Sequence, residues 1–205
     1  CQLVVGGLRL DGFDFLIVHG RIEPPTAELD AEAAIKNALW QFYGRCEQGW
    51  LGSDGQMNSP DYAFVDAGNW ADQVYAFIRE CRQKDAFWIL PAQGFGAGQE
   101  GGQYYNRPKS TGAIVKYVGE GFHIAWHKPQ GVFLVEVDAD QWKSQIHARL
   151  VCKAEAPGAL TFYRGDSPRE HQSYVKQVTA EKQIEEFVQG KGMVKKWVVM
   201  HRNNH

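Results

Sequence analysis

The chain has 205 residues, of which 44% are hydrophobic and 22% are charged. This is the composition of a folded globular protein and excludes a disordered, collagen-like or coiled-coil chain. The length suits one domain with a sizeable core, and no apolar run is long enough for a membrane-spanning helix. The four cysteines show neither a CxxC motif nor zinc-ligand spacing, so we expect reduced structural thiols.

The net charge of -2 conceals an uneven distribution. Residues 1–100 carry 7 Lys+Arg against 14 Asp+Glu, a balance of -7, and the remainder carries 15 against 10, a balance of +5. An acidic half beside a basic half is compatible with a metal site next to a phosphate-binding surface. Two differently solvated faces explain the same numbers equally well.

The first half of the chain predicts a hairpin and then alternating helices and strands. Asp11-Gly12 is a hairpin turn signal between strand candidates 3–10 and 13–18. Apolar residues at helical spacing predict a helix over 35–44 that ends at Gly44. A short buried strand at 62–65 follows, ending on Asp66. The next helix has an apolar stripe formed by Trp70, Val74, Phe77, Ile78 and Cys81.

The second half adds more strands and one further helix. After a strand at 87–90, a long glycine-rich loop is predicted from Pro91 to Pro108. Asp138 is the predicted N-cap of a helix. The remaining strands are predicted at 112–118, 121–127 and 131–137, with two more around Gly190 and Gly192 in the segment 184–200. Hairpins of strands followed by alternating strands and helices indicate a mixed α/β domain.

Asp66 is the strongest candidate for a functional residue. Its carboxylate stands at the end of a strand, before Gly68 and a helix, where α/β sheets present their ligands. Asp is uncommon in strands, so its presence at the end of this one suggests a specific role. The alternative, that Asp66 caps the following helix, is about equally consistent with this segment.

Basic residues form two candidate DNA contacts. The glycine-rich loop runs into Arg107 and Lys109, which could contact a nucleic-acid backbone. Near the carboxyl end a second basic group predicts a phosphate-contacting hairpin. Its members are Lys191, Lys195, Lys196 and Arg202. A solvated surface is the more common explanation of each group.

Several segments, in order, resemble the carboxy-terminal nuclease domain of the lambda-like phage terminase large subunit. The segment from Val4 to Arg9 resembles the strand that carries the family's first catalytic carboxylate, and Val65-Asp66-Ala67-Gly68 resembles its Asp-x-Gly strand end. Val132 to Val137, leading to Lys143, resembles a later strand–helix unit. Segments 158–162 and 179–190 and the terminal Arg202-Asn203-Asn204-His205 are similar to the closing section.

The resemblance implies a fold and a reaction. The fold is α/β, an RNase H-like mixed sheet flanked by helices, forming a single domain over residues 1–205, with the amino-terminal packaging ATPase of such enzymes absent from this chain. The reaction is endonucleolytic cleavage of concatemeric double-stranded DNA by two-metal hydrolysis with Mg²⁺ or Mn²⁺. Further implied partners are the terminase small subunit and the portal protein, in the host cell cytoplasm and away from any membrane.

The resemblance also implies a set of site residues. Asp66 is carried over as a catalytic metal ligand. Arg9 stands where the family has its first carboxylate, and Asp11, two residues on, is the nearest acid that could replace it. His205 is carried over as a catalytic helper near the family's last Asp, which is expected just beyond it, so we expect this piece to be a poor nuclease. The alternative is a catalytically degenerate module that binds DNA or docks on the portal, since a cation at position 9 would repel metal.

Overall fold

The computed structural model describes the backbone of residues 2–8, 14–22, 30–52, 55–97, 104–154, 156–162, 167–190 and 192–201, and side chains from residue 22 onward within these ranges. The chain divides into two compact units. The first comprises the described parts of 1–3, 20–94 and 107–137, and the second those of 4–19, 95–106 and 138–205. The prediction of one domain over residues 1–205 stays a prediction.

The first unit is built on a mixed five-stranded sheet. Its strands are β5 (Ala63–Asp66), β6 (Ile89–Phe95), β7 (Val115–Val118), β8 (Phe122–His127) and β9 (Val132–Asp138), and their spatial order is β5-β6-β9-β8-β7. β5 pairs with β6 in parallel, whereas β7, β8 and β9 form an antiparallel meander. β5 is therefore an edge strand within the described part of the chain. A small pair, β3 (Trp50–Leu51) and β4 (Met57–Asn58), completes the strands of this unit.

Two helices cover this sheet and form the core with it. They are α1 (Ala31–Gln48) and α2 (Ala71–Gln83). The apolar stripe of α2 supplies Phe77, Ile78 and Cys81, none of which is exposed, and Ile89 and Val132 of the sheet are buried against the same cluster. The α/β prediction is confirmed, and a mixed sheet flanked by helices is consistent with an RNase H-like fold.

The second unit contains a helix packed on a hairpin and a separate small sheet. The sheet has the order β1-β2-β10, with β1 at Gln2–Leu8, β2 at Asp14–Arg21 and β10 at Leu160–Phe162, and β10 runs parallel to β2. Helix α3 (Ala139–Leu150) contacts the antiparallel hairpin of β11 (Glu181–Val188) and β12 (Gly192–Val199). Trp197 of β12 donates to the carbonyl of Asp140, 3.3 Å away, and lies against His147. A 3-10 turn (Pro168–His171) and α4 (Gln172–Val178) precede the hairpin.

Several predicted boundaries are wrong for identifiable reasons. α1 does not end at Gly44 but continues to Gln48, because the glycine with positive φ is Gly49, whose N–H donates to the Arg45 carbonyl. β6 runs through the predicted loop start at Pro91, a side chain that is fully buried in the sheet. The predicted cap of α3 is confirmed, since the Asp138 carboxylate accepts from the Gln141 N–H at 3.0 Å. Among the described residues no helix is both long and apolar enough to cross a membrane.

Candidate functional site

Asp66 is the last residue of β5, at the carboxyl end of a parallel strand pair. It pairs with Ala92 of β6, and the next backbone N–H, of Ala67, donates to the Ala92 carbonyl at 2.8 Å. The side chain of Asp66 is exposed, while Ala63 at the start of the strand and Ala67 directly after it are buried. The sheet therefore fixes the backbone of Asp66 and presents its carboxylate to solvent.

The turn after β5 orients this carboxylate. The Gly68 N–H donates to Asp66 Oδ1 at 3.0 Å, which closes a local turn between the side chain and the backbone two residues on. A Cβ at position 68 would lie 3.3 Å from Oδ1, so glycine suits this close approach. With Oδ1 bonded, Oδ2 has no hydrogen-bond partner within the described chain and is available to a ligand.

Asp66 does not cap helix α2, so the capping alternative is wrong. The N-cap of α2 is Trp70, which makes no side-chain capping bond and adopts a left-handed conformation at φ 54° and ψ 37°. Trp70 was predicted to begin the apolar stripe of this helix. It lies instead at the N-cap and is 49% exposed, since the helix begins one residue later.

Among the described residues Asp66 is a candidate metal ligand, but it does not form part of a complete metal site. Hard divalent cations prefer several oxygen ligands. Where the structure describes side chains, no group of three or more His, Cys, Asp or Glu is close enough to hold a metal ion. Asp66 fits the chemistry of a Mg²⁺ or Mn²⁺ ligand, but the described donors alone do not complete the coordination.

The other predicted catalytic residues lie outside the described residues. These are Asp11 and His205, and the same is true of Arg9, Lys191 and Arg202. Their assignment to the site or to DNA contact stays a prediction. His123 and His127 lie on the same face of β8, and His123 Nε2 is 3.6 Å from a carboxylate oxygen of Glu136 on the neighbouring strand.

The described basic residues differ in their surroundings. Arg107 and Lys109 are exposed and belong to the same unit as Asp66. Lys195 and Lys196 lie on β12 and are paired with acids of β11. Lys195 is 3.8 Å from Glu185, and Lys196 forms a salt bridge with Glu186. The two lysines of the hairpin are thus opposed by neighbouring carboxylates, whereas no ion pair of Arg107 or Lys109 is seen in the described part of the chain.

Sequence reasoning missed the exposure of the aromatic residues around Asp66. The segment 62–65 was predicted to be a buried strand, but Tyr62 is 66% exposed and Phe64 is 55% exposed. The sequence of this segment carries no polar–apolar alternation, because all four residues are apolar. The alternation appears only in the folded chain, where buried Ala63 lies between exposed Tyr62 and Phe64.

Comparison with known proteins assigns the chain to a family. No curated protein and no solved structure shows significant similarity to it. A family model for the endonuclease domain of the terminase large subunit gpA matches residues 14–205. The match covers nearly the whole length of the chain and includes Asp66 and the two groups of basic residues predicted to contact DNA. The chain therefore belongs to the terminase large subunit gpA endonuclease domain family.

Proposed function

We propose that this domain is a divalent-metal-dependent endonuclease that cuts concatemeric double-stranded DNA during viral genome packaging. The observation that carries the proposal is the exposed carboxylate of Asp66 at the carboxyl end of β5, in a chain whose family is an endonuclease domain. This is where α/β sheets place ligand-binding groups. The Gly68 N–H holds one oxygen and leaves the other for a cation.

The proposed cofactor is a pair of Mg²⁺ or Mn²⁺ ions. When bound, such a pair supplies a nucleophilic water and stabilises the leaving oxygen of the phosphodiester. Asp66 would hold one of these ions, and Asp11 is the proposed second carboxylate, with His205 as a helper. β5 and the Gly68 N–H hold the Asp66 carboxylate in its orientation through contacts within the protein.

The proposed partners and location follow from the family. A terminase large subunit acts on DNA, and we propose that the full-length protein also engages the terminase small subunit and the portal protein in the host cell cytoplasm. Arg107 and Lys109, together with Lys191, Lys195, Lys196 and Arg202, are the proposed contacts to the DNA backbone.

The test is nicking of supercoiled plasmid in Mg²⁺ or Mn²⁺, with EDTA as the metal-free reference. Asp66→Asn should lower the nicking rate by about 100-fold or more. The fold should stay intact, because an Asn side chain still accepts from the Gly68 N–H. Asp61→Asn is the matched control, since it removes another exposed negative charge of the same segment and should leave nicking unchanged.

The competing function is a degenerate module that binds DNA without cutting it. The residue that favours it is Arg9, which stands where the resemblance to the family leads us to expect the first carboxylate. Such a module would shift DNA in a gel without metal and would show no nicking at any Mn²⁺ concentration. Metal-dependent nicking by the wild-type chain that Asp66→Asn leaves unaffected would remove Asp66 from the site.

A further inference from the structure

Three large aromatic side chains close to Asp66 in the sequence are exposed to solvent. Tyr62 is 66%, Phe64 55% and Trp70 49% exposed, and we call these three residues the aromatic strip. Within the described residues none of them stacks on another ring or on a cation. Aromatic side chains normally bury most of their large surface, so adjacent exposed ones mark a contact surface.

Phe64 of the strip and the candidate catalytic carboxylate share one side of strand β5. Side chains alternate along a strand, so Phe64 and Asp66 point to the same face and Ala63 points to the other. The burial pattern agrees, because Ala63 is 7% exposed. Tyr62, two residues before Phe64, continues the alternation. Whatever molecule lies on this face next to Phe64 also lies next to Asp66.

Trp70 stands four residues after Asp66 in an unfavourable backbone conformation. Its φ of 54° and ψ of 37° belong to the left-handed region, which glycine adopts freely and a residue with a Cβ does not. Helix α2 gains no capping bond from this residue. A bulky side chain held in such a conformation points to a role for the side chain rather than for the fold.

We propose that the aromatic strip binds unpaired nucleotides of the DNA strand that is presented to Asp66, by stacking on their bases. The inference rests on the proposed function, which places DNA at Asp66. DNA is the substrate class of the family, and every base has a face that an aromatic ring can stack on, whatever the sequence. Bases inside an intact duplex are already stacked on each other. The substrate class is therefore DNA that is opened locally at the cleavage position.

The binding test uses the whole 205-residue chain in EDTA, so that cleavage plays no part. Fluorescence anisotropy measures the Kd for a labelled single-stranded oligonucleotide and for the matching duplex. Phe64→Leu keeps an apolar side chain but loses the ring, and should weaken single-strand binding by about fivefold or more. Phe64→Tyr keeps the ring and should bind as the wild type does. Duplex binding should change less than single-strand binding.

Phe87→Leu is the matched control for exposed aromatic surface. Phe87 is 63% exposed and precedes β6, so it stands before the amino end of that strand, whereas Asp66 stands at the carboxyl end of the strand parallel to it. Its loss should leave the single-strand Kd unchanged. An equal loss of affinity from Phe87→Leu and Phe64→Leu would overturn the proposal. The oligonucleotide would then be making nonspecific hydrophobic contacts with any exposed aromatic side chain.

Trp70→Gly separates a binding role from a structural one. Glycine relieves the left-handed conformation, so the melting temperature should stay the same or rise, while single-strand binding weakens. A lower melting temperature with unchanged binding would show that the strip stabilises the fold, and would overturn the proposal. Unchanged single-strand binding by both Phe64→Leu and Trp70→Gly would overturn it too, and would leave a protein partner as the occupant of this face.

Failure of this inference is distinguishable from failure of the proposed function. Asp66→Asn should bind the single strand in EDTA at least as tightly as the wild type does, because its rings are untouched and a negative charge that repels phosphate is removed. If Asp66→Asn nicks plasmid normally while the strip variants lose single-strand affinity, the catalytic assignment fails and the strip stands. If the strip variants bind normally and Asp66→Asn is inactive, only the strip is refuted.

Discussion

Asp66 and Trp70 show how single backbone contacts decide what a side chain is free to do. From the sequence alone, the Asp66 carboxylate could either face a ligand at the end of a strand or cap the helix that follows. The Gly68 N–H at 3.0 Å binds it locally, and α2 begins at Ala71 without its help. Local hydrogen bonding of this kind competes with capping for Asp side chains. The outcome leaves one carboxylate oxygen and one indole exposed within five residues of each other.

Two core thiols make the stability of the domain depend on pH in the alkaline range. Burial raises the pKa of Cys46 to about 11 and that of Cys81 to about 12, from a usual value of 9.0. A raised pKa in the folded state contributes stability that is complete below pH 9 and is lost as the pH rises through the folded value. The free energy of unfolding should therefore fall between pH 9 and pH 11.

The contribution of Cys81 is measured by urea denaturation at these two pH values. Cys81→Ala should reduce the fall by an amount on the order of 2 kcal/mol, because the fully buried thiol no longer titrates. Cys152→Ala is the control, since this thiol is free and exposed. If the free energy of unfolding of Cys81→Ala falls as much as that of the wild type, other titrating groups cause the loss of stability at alkaline pH.

At the scale of elements, helix α3 is tied to the segment that follows β6. Asp140, in the first turn of α3, accepts from the Ala97 N–H at 2.7 Å. A Cβ at Gly96 would lie 2.8 Å from Asp140 Oδ1, which is closer than real contacts allow. The lack of a side chain at Gly96 thus lets the backbone pass close to the Asp140 carboxylate. The hydrogen bond from Ala97 holds this part of the chain to helix α3.

This close approach predicts the effect of adding a single methyl group. Gly96→Ala should lower the free energy of unfolding by about 1–3 kcal/mol, because the methyl group overpacks against Asp140. Gly112→Ala is the control, since nothing lies within 4 Å of that position.

The partner of Gly96 is identified by a double-mutant cycle in urea denaturation. Combined with Asp140→Ala, the Gly96 substitution should cost less than it does alone. Full additivity of the two substitutions would show that the crowding has another source.

At the scale of the whole molecule, the basic second half is less uniform than its charge balance suggests. Lys195 and Lys196 face Glu185 and Glu186 across the hairpin. These exposed pairs add little to stability, but they reduce the positive potential that the hairpin offers to a phosphate. Arg107 and Lys109 are exposed in the unit that carries Asp66.

The salt dependence of DNA affinity should reveal this difference. Each lysine or arginine that contacts a phosphate adds about one to the slope of log affinity against log salt. Arg107→Ala with Lys109→Ala should flatten the slope by about 2, and Lys195→Ala with Lys196→Ala by less. Each pair serves as the control for the other in anisotropy titrations. A larger change from the hairpin pair would place the DNA path there instead.

The sequence by itself determined most of the elements and the choice of Asp66 as the candidate site residue. Helix α2, the meander of β7, β8 and β9, the hairpin of β11 and β12 and the Asp138 cap all follow from local signals. Periodicity, turn residues and capping groups act within a few positions of each other, so they are readable in order along the chain. The prediction of Asp66 as a site residue rests on the same kind of signal, a strand, a carboxylate and a glycine in sequence.

Only the tertiary structure decided which of these elements meet and which side chains stay exposed. The apolar run at 62–65 predicts a strand, but not that β5 lies at the sheet edge in the order β5-β6-β9-β8-β7. In the folded chain Phe64 stays exposed, and a contact between residues far apart in sequence places Gly96 against Asp140. Pairing and burial are set by residues far apart in sequence, and a hydrophobic pattern marks which side of a strand is apolar without naming what will cover it.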